Sequence, residues 1–202
     1  FTPTPMSTAI IQEAILPTAC SLNSVTPELI GMAERYFPKL YREQLCDKDR
    51  YLDGLAARYL VSRLVDLRFG VKDYFPESTP QGIPVFPEGI YWSIAYAEDK
   101  AFVAAAEDPV GVDLEKMVLR NPLLFSVFSM REWEAVGKMD WEHFYRMWTA
   151  KQALIKKLRP ELPESADMHI ADSRADSVWI IAEGQIHTVT VRKRQGFILA
   201  VA

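Results

Sequence analysis

Two short runs hold the residues best suited to chemistry: Gly111-Val112-Asp113-Leu114-Glu115 and Trp148-Thr149-Ala150-Lys151-Gln152-Ala153-Leu154-Ile155-Lys156. The first closes an apolar stretch that reads as a strand. Residues two apart in a strand project on one face, so Asp113 and Glu115 stand side by side. Two such carboxylates repel each other unless a cation lies between them. Mg²⁺ suits that place, because it takes hard oxygen ligands and fills its remaining positions with water and substrate phosphate. The same spacing also fits a solvated acidic pair at the rim of a sheet. The second run reads as a helix, where residues four apart share a face. Trp148, Gln152 and Lys156 therefore form one stripe, with Lys151 about a quarter turn away. A lysine on such a stripe can clamp a phosphate as a point charge. Amphipathic packing, with Trp148 inward and the lysines in water, accounts for the same letters. Arg58, flanked by Arg50 and Arg63, offers a guanidinium fork that matches phosphate geometry, or is one more exposed helical arginine.

Other chemistries find little support. His143, His169 and His187 are scattered without metal-site spacing, and neither a GxxxxGK phosphate loop nor a nucleophile elbow is present. Arg192-Lys193-Arg194 reads as a hairpin tip. The 202 residues are 49% hydrophobic and 25% charged, ordinary for a globular protein. A net charge of −4 gives no global basic field for nucleic acid or anionic membrane, so a polyanionic ligand must be held by a local cluster of Arg and Lys. Cys20 and Cys46 are the only cysteines and read as free thiols in a reducing cytosol. No run approaches the roughly 20 apolar residues of a membrane span, and no secretory signal is expected. The expected location is cytoplasmic.

Elements must hold these runs in place. Ala9 to Leu16 is apolar and suits a first strand or a short helix. Thr26-Pro27-Glu28 has the form of a helix start. A longer helix is expected from about Asp49 to Phe69, with Leu52, Leu55, Ala56, Tyr59, Leu60, Arg63 and Leu64 at helical spacing and Gly70 at its end. Residues 75–90, rich in proline, form a loop. Strands follow at Tyr91–Tyr96, Ala101–Ala106 and Val110–Leu114, and the short breaks between them predict an antiparallel meander. Ser129 with Glu132 makes a capping box for a helix to about Lys138. A second helix spans Trp141–Leu158, before Pro160. Strands return at Val178–Ala182, Ile186–Arg192 and Phe197–Val201, joined by Glu183-Gly184 and Gln195-Gly196 turns. A long helix followed by about three antiparallel strands thus occurs twice. The expected fold is α+β, with two similar lobes (1–106 and 107–202), each a long helix on a small antiparallel sheet, related by a pseudo-twofold axis with a cleft between them.

Taken in order, six segments resemble the 4′-phosphopantetheinyl transferase superfamily in its larger, surfactin-type branch. They are LAARYLVSRLV (55–65), QGIPVF (81–86), YWSIAYAEDKAFVAAA (91–106), VGVDLEK (110–116), FSMREWEAV (128–136) and FYRMWTAKQALIKK (144–157). The resemblance implies Mg²⁺-dependent transfer of the phosphopantetheine arm of coenzyme A to a serine of an acyl or peptidyl carrier protein, with release of 3′,5′-ADP. By that likeness Asp113 and Glu115 match the metal carboxylates, and Gln152 stands at a catalytic position. Lys156 matches a lysine near the pyrophosphate, and Arg58, Tyr96 and Lys151 fall on the coenzyme A side. No nucleic acid or membrane partner is implied, and a two-lobed member is expected to be a monomer.

Three positions depart from that pattern. Gly-Lys-Pro is Gly82-Ile83-Pro84 here, Ser-His-Ser is Ala95-Tyr96-Ala97, and Lys-Glu-Ala is Lys151-Gln152-Ala153. The first two replace a cation with an alkyl chain and an imidazole with a phenol. The third replaces a carboxylate that holds metal and accepts a proton. An amide oxygen can still coordinate, but it cannot take up a proton. Two readings follow: an enzyme that turns over without the usual base, or a family member that binds coenzyme A or a carrier without turnover. A plain α+β interaction domain is the third.

Overall fold

The computed structural model of the chain describes residues 20–37, 48–79, 83–159 and 167–202, and the expected first element at Ala9–Leu16 lies outside them. The chain divides into two compact units, which meet in sequence between Val110 and Gly111. The sequence pattern suggested a boundary at 106/107.

In the first unit, β1 (Cys20–Ser24) precedes α1 (Pro27–Tyr36) and α2 (Lys48–Phe69), followed by β2 (Tyr91–Ala97) and β3 (Lys100–Ala106). Thr26 caps α1, its Oγ1 accepting from Leu29 N at 3.2 Å, and Pro27 takes the first turn, where its missing N–H costs nothing. Gly70, at φ +69°, stops α2 in the left-handed conformation. The sheet is antiparallel in the order β1-β3-β2. Ala57, Val61, Leu64 and Val65, one face of α2, pack on Trp92, Ala101, Val103 and Ala105. Leu55 turns instead toward Ala33 and Phe37 at the end of α1.

In the second unit, β4 (Val112–Lys116) leads through a short 3₁₀ segment (Pro122–Val127) to α3 (Met130–Val136) and α4 (Trp141–Leu158). Four strands follow: β5 (Met168–Arg174), β6 (Ser177–Ala182), β7 (Gln185–Arg194) and β8 (Phe197–Val201). The five-stranded antiparallel sheet runs β4-β8-β7-β6-β5. Its β6–β7 and β7–β8 turns place Glu183 (φ 50°), Gly184 (φ 73°), Gln195 (φ 52°) and Gly196 (φ 79°) in the left-handed region, as tight two-residue hairpins require. The core lies under α4, where Met147, Ala150, Ala153 and Leu154 meet Ile180, Val189, Val191, Ile198 and Ala200.

The α+β class stands. The meander does not: Val112–Lys116 pairs with β8, the last strand of the chain, and not with β3. The pairing starts at Gly111, whose N–H donates to Ala202 O at 3.2 Å while Ala202 N–H donates to Gly111 O at 2.9 Å. Nearness in sequence favours a hairpin, but the apolar Phe197–Val201 run offers β4 a longer matched ladder. Two strands escaped the sequence reading. Cys20–Ser24 is polar, and Met168–Arg174 carries a register shift between Ile170 and Asp172 that spoils its alternation.

Candidate active site

Gly111 sets β4 against α4. A Cβ built there would stand 1.9 Å from Ala153 O and 2.5 Å from Lys157 N, both backbone atoms of the helix. Only glycine permits this approach, and it brings the next residues of β4 under the outer turns of α4. Asp113 and Glu115 lie opposite Ala200 and Ile198 of β8 and share the sheet face that α4 covers.

Asp113 is 8% exposed. Its Oδ1 accepts from Lys156 Nζ at 2.8 Å, and the same ammonium donates to Val112 O at 2.9 Å. Its Oδ2 is buried with no donor at hydrogen-bonding geometry. Burial pushes the Asp113 carboxyl above the usual carboxylate range, although Lys156 pulls it back and the Leu114 N–H beside the carboxyl also helps to hold it down. Glu115, half-buried, accepts from Trp148 Nε1 at 3.2 Å. Its pKa is also raised, by burial first and then by the charge of Asp113. Glu115 therefore feels the Asp113 carboxylate as a neighbouring negative charge, whereas the charge that acts on Asp113 is that of Lys156.

An orphaned buried carboxylate oxygen demands a partner. Two hard oxygen donors on one strand face fit a Mg²⁺ ion that draws its other ligands from water and phosphate. Among the described residues there is no group of three or more His, Cys, Asp or Glu able to hold a metal ion. On this face the described residues thus present two carboxylates and no third acidic, histidine or cysteine ligand beside them.

The helix α4 supplies the rest. Asp140 caps its start, Oδ1 accepting from His143 N at 2.9 Å. Burial tends to raise the Asp140 carboxyl, but the His143 N–H, Lys138 and the His143 ring together hold it well below the usual range. Trp148, Gln152 and Lys156 lie along one stripe, and the outer two reach Glu115 and Asp113. Gln152 lies between them on the helix, half-buried. Lys151 turns away from that stripe. Its Nζ donates to Glu132 Oε1 at 2.6 Å and to Met168 O at 2.7 Å.

The first unit holds Arg58 and Tyr96. Arg58 Nη1 donates to Gly54 O at 3.2 Å and Nη2 to Ser78 Oγ at 3.4 Å. Tyr96 exposes 43% of its surface, yet its hydroxyl end is crowded. A Cβ built on Gly54 would stand 3.3 Å from Arg58 Nη1, a tight contact, and 3.7 Å from Tyr96 Oη, an ordinary one, so both groups lie close to α2 at this residue. Burial of the oxygen pushes the phenol up to about 12, against the pull of Arg58. Ile83 and Pro84 lie on the neighbouring loop, where Ile83 N–H donates to Thr79 Oγ1 at 3.2 Å; Gly82 lies outside the described residues.

The structure thus brings Asp113, Glu115 and Lys156 together in the second unit, with Gln152 on the same stripe, and Arg58 with Tyr96 in the first. Sequence reasoning missed Glu132, Gly111 and Gly54 as parts of these arrangements. The Ser129-x-x-Glu132 pattern signalled only a helix start, and nothing in it announces that the other glutamate oxygen meets Lys151. The two glycines carry no side chain to read, and their neighbours come from other elements.

Residues 109–202, which include the β4 carboxylates and all of α4, match the family model of the 4′-phosphopantetheinyl transferase superfamily. No curated protein matches the chain.

Proposed function

We propose that the chain transfers the 4′-phosphopantetheine arm of coenzyme A to a serine of an acyl or peptidyl carrier protein, releasing 3′,5′-ADP, with Mg²⁺ held by Asp113 and Glu115. One observation carries the reading: a buried, unpartnered Asp113 oxygen beside a second carboxylate, inside the segment that matches a phosphopantetheinyl transferase family. Bound there, Mg²⁺ would neutralise charge on the pyrophosphate as the bond to the arm is exchanged. The surfactin-type branch with a divergent site, the pseudo-twofold pairing of lobes at 1–106 and 107–202, monomeric action and a cytoplasmic setting belong to the same proposal.

The chain's own groups divide the work. Lys156, held on Asp113 and on Val112 O, stands ready as a point charge for the pyrophosphate. Trp148 fixes the Glu115 carboxylate by its indole N–H. By the family likeness Arg58 and Tyr96 serve coenzyme A, the guanidinium as a cation and the phenol as a donor. Held up at about 12, Tyr96 keeps its proton at any physiological pH. Gln152 orients the acceptor hydroxyl through its amide but takes no proton from it. The serine proton then passes to solvent, and transfer runs without the positioned base that is typically worth about 10²–10⁴-fold.

Gln152 and Tyr96 are also the observations that favour a second reading, a member that binds coenzyme A or a carrier without turnover. Mass spectrometry of an apo carrier protein, incubated with the chain, coenzyme A and Mg²⁺, separates the two. A gain equal to one phosphopantetheine arm, lost without the metal and lost in Asp113→Ala, is the expected result. No gain on several carrier classes, from a protein that coenzyme A still stabilises against heat, refutes turnover and leaves binding. Neither gain nor stabilisation refutes both.

A further inference from the structure

We infer that Lys151 is a positioning residue and not a ligand of coenzyme A: paired with Glu132, it ties α4 to α3 and β5 and so sets the rotation at which Gln152 and Lys156 meet β4. The inference rests on the transferase reading for its kinetic readout only.

The geometry is a hydrogen-bond set shared by Lys151 and Glu132. The Lys151 ammonium has three donors. Two go to Glu132 Oε1 and Met168 O, and the group lies 5.2 Å from the centroid of the Phe128 ring, which covers it. Glu132 is equally committed. Its Oε1 also accepts from Ile170 N at 3.1 Å, and its Oε2 accepts from Ser129 N at 2.8 Å and Ser129 Oγ at 3.0 Å. Four donors from three elements thus converge on one carboxylate whose side chain is 7% exposed, against 17% for Lys151. Burial alone would raise the Glu132 carboxyl, but these bonds outweigh it and the group is held below its ordinary value. A lysine already spent in this way has little left to offer a phosphate.

Its leverage lies in the direction it faces. Successive helix residues are turned by about 100°, so Lys151 and Lys156 project roughly 140° apart on α4. Over its later turns the helix is gripped by an ion pair on each of two sides, Lys151–Glu132 toward α3 and β5, and Lys156–Asp113 toward β4, while nearer its start Arg146 donates to Arg174 O and Glu142 pairs with Lys193. Releasing the first grip frees the later turns of α4 to shift, since the ties at Arg146 and Glu142 hold only its start. The stripe of Trp148, Gln152 and Lys156 then moves relative to the β4 carboxylates, and a misplacement of about 1 Å costs up to about 10²-fold in rate. Removing one partner also strands a buried charge, whereas removing both charges does not. That asymmetry supplies the test.

Lys151→Met, Glu132→Gln, the double variant and Lys151→Arg are compared by kcat, by KM for coenzyme A, by calorimetric coenzyme A affinity and by thermal midpoint. Lys151→Met is expected to lower kcat by about 10–10²-fold with KM for coenzyme A within about twofold. The double variant is expected to recover part of the lost kcat and midpoint. A rise of about tenfold or more in KM or in the dissociation constant, no smaller in the double variant than in Lys151→Met, makes Lys151 a ligand and overturns the inference. Should Lys151→Met fail to fold, the double variant and Lys151→Arg carry the same comparison. Should the unaltered chain show no transfer, the transferase reading fails separately. The inference is then decided by the midpoints, where coupling between positions 132 and 151 supports it and additivity of the two changes overturns it.

Discussion

Substituting Gly111 by alanine tests the close approach on which the carboxylate site depends. The added Cβ would lie 1.9 Å from Ala153 O, whereas real contacts of this kind essentially never fall below 3.0 Å. The strand and helix backbones must therefore part by at least about 1.1 Å at this point, the difference between those two distances. No flexible side chain stands in the way to absorb the shift, because the second contact, Lys157 N at 2.5 Å, is backbone as well. Overpacking of this kind costs about 1–3 kcal/mol, and more when backbone meets backbone. For a chain of this size each kcal/mol lowers the thermal midpoint by about 2–4 °C, so a fall of roughly 2–12 °C is expected. The movement also pulls Asp113 from Lys156, whose atoms now meet at 2.8 Å, and a displacement of that size is enough to cost transfer about 10²-fold. Gly31→Ala is the internal control, since nothing lies within 4 Å of a Cβ on that α1 glycine. It should leave the midpoint unchanged or raise it, by up to about 1 kcal/mol of helix propensity. The assay is a thermal melt of both variants followed by carrier modification. A Gly111→Ala protein that melts with the unaltered chain and retains its rate would refute the argument that this glycine sets the site.

Three further outcomes follow from the same geometry. Gln152→Glu restores a proton acceptor on the Trp148–Lys156 stripe, so transfer should speed up, by as much as about 10²–10⁴-fold if the base is the missing element, and an unchanged single-turnover rate would show that it is not. Tyr96→Phe removes one neutral donor, so coenzyme A affinity measured by calorimetry should weaken by about 2–10-fold, corresponding to 0.5–1.5 kcal/mol, with little change in melting. Because the phenol is held near 12, the pH profile of transfer should show no tyrosine titration up to pH 10, and a break in that range absent from Tyr96→Phe contradicts the burial of this phenol. Asp140→Ala removes the cap of α4 and should cost about 1 kcal/mol near neutral pH. The Asp140 pKa is depressed in the fold, so its contribution is full above the ordinary Asp value of about 3.9 and fades as pH falls below it. The difference in melting between the two proteins should therefore shrink in acid, and a gap that widens there reverses the assignment.

How much was legible follows from which forces are local. The sequence by itself determined the elements whose signals sit within a few residues. Thr26-Pro27 starts α1, Ser129 with Glu132 starts α3, and the Trp141–Leu158 helix runs to the residue expected, because caps and helical periodicity are short-range. The Glu183-Gly184 and Gln195-Gly196 hairpins were equally plain, since the conformation they need favours such pairs. The shared face of Asp113 and Glu115 needed only the strand period.

Tertiary structure alone decided the rest. That β4 pairs with β8 depends on residues more than 80 positions apart competing successfully with a local hairpin, and no local pattern ranks those two ladders. That Lys156 meets Asp113 while Lys151 meets Glu132 depends on which side of α4 each neighbouring element packs. Two lysines on one helix are alike in the sequence; only the surroundings make one a partner of the carboxylate site and the other a partner of α3. Gly111 and Gly54 count through the side chains they lack, which is information held by the atoms that come close to them. The buried Asp113 oxygen without a donor is likewise a property of the packed protein, because a hydrogen bond that is never made leaves no letter in the chain.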